Sequence, residues 1–150
     1  MRFIGRLFVI FFAFLCASMT AGLTVAFGLL AGQWQLLETD PVAQGAFWIT
    51  SAIGTSFAGA AGFMPLLLVA ILAEAFRVRS FIFYALAGAA IALLAYYAWG
   101  FGNPYEESID QAGPIARGIE IVVAAGVIFG LTYWLIAGRK AGAWRDARPR

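Results

Sequence analysis

Histidine is absent from this chain of 150 residues, and cysteine occurs once, at Cys16. Without imidazole there is no histidine-ligated haem, no histidine-held zinc and no histidine acid–base chemistry. A single thiol cannot build a disulfide framework or run thiol–disulfide exchange. Charge is scarce too. Only 12% of the residues are Asp, Glu, Lys or Arg, against about 25% in a soluble domain. With 63% of the residues hydrophobic, intrinsic disorder is excluded as well. What is abundant is apolar surface. The mean hydropathy is +0.86, which suits a chain whose main solvent is lipid.

Four apolar stretches are long enough to cross a bilayer, which takes roughly 20 residues at about 1.5 Å each. They cover about 7–30, 47–73, 81–99 and 119–137. In lipid every backbone N–H and C=O must be satisfied within the segment, so these stretches predict helices. They are continuously apolar and lack the period-two alternation of a transmembrane β-barrel. The expected fold is an all-α membrane protein, a four-transmembrane-helix bundle. It forms a single domain over 1–150 and ends in a basic tail over 138–150.

Local punctuation marks the helix ends. Asp40-Pro41 supplies an N-cap followed by proline at N1, so the second helix can begin ahead of the membrane. Gly113-Pro114 can open the fourth helix, Ser80 can cap the third, and Gly138 can stop the fourth. Residues 1–15 have the layout of a signal peptide, a short basic segment followed by an apolar run. However, Phe14 and Leu15 are too large for a lipobox before Cys16, and the apolar run continues to Leu30. The first helix is therefore read as retained, with cleavage as the alternative.

Lys and Arg are unevenly placed. Arg2 and Arg6 precede the first span, Arg77 and Arg79 lie between the second and third, and Arg139, Lys140, Arg145, Arg148 and Arg150 follow the fourth. Only Arg117 falls on the other side. The positive-inside rule then predicts a multi-pass protein with both termini in the cytoplasm (N-in/C-in). The acids Glu38, Asp40, Glu106, Glu107 and Asp110 fall in the outer loops. Trp34, Trp48, Tyr96, Tyr97, Trp99 and Tyr105 would form an outer aromatic belt, and Tyr84, Tyr133, Trp134 and Trp144 an inner one. The tail is read as a topology anchor that meets anionic lipid at roughly 1 kcal/mol per charge. No nucleic-acid partner is expected.

Lipid is as apolar as leucine, so helices must associate through close packing of small residues. The second span carries Thr50, Gly54, Ala58 and Gly62 at a spacing of four, flanked by Ser51, Thr55 and Gly59. Ile49, Ile53, Phe57 and Met64 fall on the opposite side. Gly126 and Gly130 repeat the small-xxx-small idea in the fourth span, Ser18, Gly22 and Ala26 in the first, and Ala85, Gly88, Ala89 and Ala92 in the third. These faces would close the bundle on itself, or one of them would pair two copies. Pro65 predicts a kink near Ala61.

Chemistry is sparse. No ionisable residue lies near a span centre, where it would mark function. Glu74 and Arg77 near one end of the second span, and Arg117 and Glu120 near the start of the fourth, have the i,i+3 spacing of interfacial ion pairs. A proton or cation relay is the sharper reading of either carboxylate. No metal cluster and no nucleophile with a neighbouring base is visible, so no enzyme, metal or cofactor is expected. Residues 33–37 and 101–105 combine aromatics with turn residues, the makings of a docking surface on the outer loops.

The segment Gly130-Leu131-Thr132-Tyr133-Trp134-Leu135-Ile136-Ala137-Gly138-Arg139, followed by Ala141-Gly142, resembles the end of uncharacterised small four-helix inner-membrane proteins of proteobacteria. The turn Glu74-Ala75-Phe76-Arg77-Val78-Arg79-Ser80, running into Phe83-Tyr84-Ala85, is similar too. The resemblance covers about a quarter of the chain. It implies a bacterial inner membrane and supplies no activity and no site residue. The expected function is that of a non-catalytic accessory, assembly or scaffold protein, partnered by the lipid bilayer and by further copies or a larger membrane complex. The alternative is an oligomeric small-solute or ion transporter using Glu74 or Glu120.

Overall fold

The computed structural model describes residues 2–99 and 114–141. Helix α1 covers Arg2–Leu30, α2 Trp34–Thr39, α3 Pro41–Phe76, α4 Phe81–Ala98 and α5 Pro114–Ile136. Single 3-10 turns follow α1 at Ala31–Gln33 and α5 at Gly138–Lys140. Among the described residues there is no strand, and α1, α3, α4 and α5 are each long and apolar enough to cross a membrane. The expectations for Tyr105, Glu106, Glu107, Asp110, Trp144 and the tail arginines Arg145, Arg148 and Arg150 lie outside the described residues. So do the side chains of Arg2, Trp34, Arg117 and Lys140.

The helix ends follow from local chemistry. Asp40 sits in extended backbone at φ −107°, and its carboxylate accepts the Val42 N–H at 2.9 Å. With Pro41 at N1, this starts α3 well before the apolar run. Most of the stretch read as an outer loop is thus helical, as α2 and the opening turns of α3. At 36 residues, α3 is about 54 Å long, too long for a core of about 30 Å without tilt or protrusion. The helix assignment runs unbroken through Pro65.

Arg77 ends α3 in the left-handed conformation, φ 56° and ψ 36°, and the Val78 N–H closes the turn on the Ala73 carbonyl at 2.9 Å. Ser80 occupies the N-cap of α4 but makes no side-chain cap bond there.

Packing inverts the rule of soluble cores. On α1, Ala13, Ala17, Ala21 and Ala26 are buried, while Phe8, Phe11, Phe12, Leu15 and Met19 are exposed. Lipid accepts those large side chains without cost, so the interior is left to residues that let backbones approach. A Cβ added at Gly54 would lie 3.1 Å from Cα of Gly22, so α1 and α3 meet backbone to backbone there. A Cβ at Gly126 would lie 2.5 Å from the Gly88 carbonyl oxygen and 2.6 Å from Cβ of Ala92, which marks the same kind of approach between α5 and α4. Gly130 faces the Tyr84 backbone in that seam.

α1 packs against both α3 and α5, and α4 packs along α5. The consecutive helices α3 and α4 touch only lightly. The order across the bundle is therefore α3, α1, α5, α4, with its weakest side between α3 and α4.

Candidate functional site

Two regions of the bundle bring side chains from several helices together. The first is at the end where α1 begins and α5 stops. Arg6 reaches across from α1 to Glu74 near the end of α3: its Nε donates to Oε1 at 2.7 Å, and Nη2 joins the same oxygen. Nη2 also donates to the Ala137 carbonyl, just past α5, at 2.9 Å. A rigid guanidinium fork thus ties three helices. The Arg6 and Glu74 side chains are only 16% and 18% exposed. A cation beside the carbonyl end of α5 is also favourably placed for that helix dipole.

The same end is laced by further bonds to backbone. The Tyr84 hydroxyl donates to the Val78 carbonyl at 3.3 Å, and Trp134 Nε1 donates to the Arg79 carbonyl at 2.8 Å. Arg79 Nε in turn donates to the Ala141 carbonyl at 3.0 Å. The Arg139 guanidinium lies 5.7 Å from the centre of the Trp134 ring, within cation–π range. The α3–α4 turn is thereby fixed to the end of α5. Tyr84 and Tyr133, expected in the inner aromatic belt, are buried against each other with ring centres 5.8 Å apart. Their bulk fills the space beside Phe129 and Leu66 in the buried cluster.

The second region lies in the other half. A cavity of about 470 Å³ is lined by α1, α3, α4 and α5, a volume in the range of small-molecule sites. Its wall includes Gly54, Ala58, Gly62, Gly88, Ala92 and Gly126. Among the described residues no charged side chain lines it, and Thr50 and Tyr96 contribute its polar side-chain atoms. Along α5 the lining runs from Gly118 to Phe129 and along α4 from Gly88 to Tyr96, spans of about 16 and 12 Å at about 1.5 Å per residue. Phe57 was expected on the lipid side of α3; it is half-buried, lines the cavity, and packs edge-on against Trp99 with centres 4.6 Å apart. Such a wall can hold an apolar body.

The residues singled out from the sequence fall as follows. Gly54 and Gly126 stand at close backbone crossings and also face the cavity, Gly130 stands in the α4–α5 seam, and Ala58 and Gly62 line the cavity wall. Gly62 sits against the Phe129 ring, 3.4 Å from where its Cβ would be. Glu74 is brought to Arg6, a partner that sequence spacing did not identify, and Arg77 forms the left-handed turn three residues on. Glu120 is exposed on α5, and its pairing with the Arg117 side chain lies outside the described residues. No periodicity links Arg6 to a residue 68 positions away, so composition alone could not have found that tie. Among the described residues, no three Cys, Asp or Glu side chains gather as a metal site would require. Comparison with known proteins found no matching family model, no matching curated protein and no matching solved structure.

Proposed function

We propose that this chain is a non-catalytic accessory protein of a bacterial inner membrane, an assembly or scaffold component with both ends in the cytoplasm. One observation carries the reading. The best-placed ionisable pair, Arg6 and Glu74, is engaged in holding α1, α3 and α5 together. A transporter would need a carboxylate that exchanges protons beside a solute path. Glu74 is held by Arg6, and among the described residues the cavity wall carries no charge. The clustering of Arg and Lys at 2–6, 77–79 and 139–150 supports the orientation. The resemblance of the closing segment to small four-helix inner-membrane proteins of proteobacteria supports the location. Small-xxx-small seams through Gly54, Gly126 and Gly130 would close the bundle or pair it with a second copy or a larger complex, while Ala58 and Gly62 line the cavity.

Affinity purification in mild detergent followed by mass spectrometry tests the role. A stoichiometric membrane partner, retained by the Glu74→Gln and Glu120→Gln variants, is expected. Proton-linked solute flux in liposomes that vanishes in either variant would overturn the reading in favour of transport. Topology is checked separately by fusions: a reporter active only in the periplasm should work after Asp110 and stay silent after Arg148.

A further inference from the structure

We infer that the cavity seats one acyl chain of a membrane phospholipid, drawn from the leaflet opposite the Arg6–Glu74 tie. The inference goes beyond the accessory reading and does not depend on it; it needs only the placement of the four long helices across a membrane. Three features point to this occupant.

The first is chemistry. Among the described residues the wall is apolar apart from Thr50 and Tyr96, so water gains few bonds there. A space of about 470 Å³ beside lipid will be filled by the surrounding solvent, which is hydrocarbon.

The second is depth. The lining extends about 12 to 16 Å along α4 and α5, close to half of a hydrocarbon core of about 30 Å. It ends on a floor: Gly62 meets the Phe129 ring, and beyond it Leu66, Ala70, Tyr84 and Tyr133 are buried. A partner transmembrane helix is about 10 Å wide and must run the full thickness, so a pocket about half that deep cannot seat one. An acyl chain is narrow and ends at the midplane.

The third is the order of polarity. Thr50 and Tyr96 stand at the end of the cavity away from the floor, where the ester groups of a phospholipid would lie. The two helices that flank it there, α3 and α4, are only lightly in contact.

Photolabelling tests the inference on the full chain. The protein is reconstituted in vesicles of phosphatidylethanolamine and phosphatidylglycerol. One arm carries a phosphatidylethanolamine with a diazirine near the end of one acyl chain, the other the same lipid with the diazirine near the ester. Adducts of the first probe are expected to concentrate on Gly62, Ile91 and Phe129, and those of the second near Thr50 and Tyr96. Ala61→Phe and Ala95→Phe narrow the cavity and should abolish these adducts while keeping those on the exposed Phe8 and Leu68. Adducts spread over exposed positions with no preference for the cavity would overturn the inference. So would a zero-length cross-link from the cavity wall to another polypeptide. If a filled variant fails to reconstitute, the depth pattern in the unsubstituted protein decides alone.

Discussion

At the Arg6 end, charge, hydroxyl, indole and backbone carbonyls bind α1, α3, α4 and α5 into one unit. At the Tyr96 end, the same four helices surround a cavity. The difference lies in what each region can gain from contact. Leucine gains little by leaving lipid for protein, so tight association requires either backbones that can touch or polar groups that have no other partner. The bundle has backbone seams between α1 and α3 and between α4 and α5, and polar ties at one end. Between α3 and α4 the contact is light, and among the described residues the cavity lies in the Tyr96 half.

The sharpest way to break this contrast is to wedge a seam. Gly126→Leu places a side chain where a Cβ would already lie 2.5 Å from the Gly88 carbonyl. Backbone cannot rotate aside as a side chain can, so we expect a loss of about 3 kcal/mol, read from unfolding in mixed micelles. Gly45→Leu is the control, because nothing lies within 4 Å of its Cβ direction. Next comes the polar end. Glu74→Ala leaves the Arg6 charge part-buried without its acid, and a cost of about 2 kcal/mol is expected, below the 3–5 of a fully buried pair. Adding Arg6→Met should recover part of it, as a double-mutant cycle would show.

A smaller effect is expected at Thr20, whose hydroxyl lies 3.1 Å from that of Thr132 between α1 and α5. Thr20→Val should cost about 0.6 kcal/mol, in line with interhelical bonds in membranes. The least effect is expected at Ala61, in the cavity wall. Ala61→Phe should change stability by less than about 0.5 kcal/mol. A cost matching that of Gly126→Leu would mean that the space is not there.

The two ends were unequally legible in the sequence. The helices were plain, because continuous apolar runs have one solution in lipid, and Asp40-Pro41 fixed the start of α3 by local capping. The glycines at 54, 126 and 130 stood out by spacing alone, and each faces a neighbouring backbone. The Arg6–Glu74 tie was hidden, since a positive-inside count treats Arg6 as an anchor and helical spacing offers Glu74 only Arg77. Tyr84 and Tyr133 resembled belt residues because burial depends on which helices become neighbours. The cavity was hidden for the same reason: a small residue that admits a neighbouring helix and one that faces a gap look alike until the helix order is known. Ala58 is the example, a small position in the α3 stripe that lines the space.

The contrast between the two halves can be measured most directly by the collision of oxygen with nitroxide labels. The labels are placed singly in a Cys16→Ala background and read in vesicles by power-saturation spectroscopy. The three positions are Ala58 in the cavity wall, Ala70 in the tied half at 6% exposure, and Leu68 on the outside at 64%. We expect Ala58 to approach the high, lipid-like accessibility of Leu68 while Ala70 stays low. An Ala58 value as low as that of Ala70 would show both halves closed and would contradict the structure's central contrast.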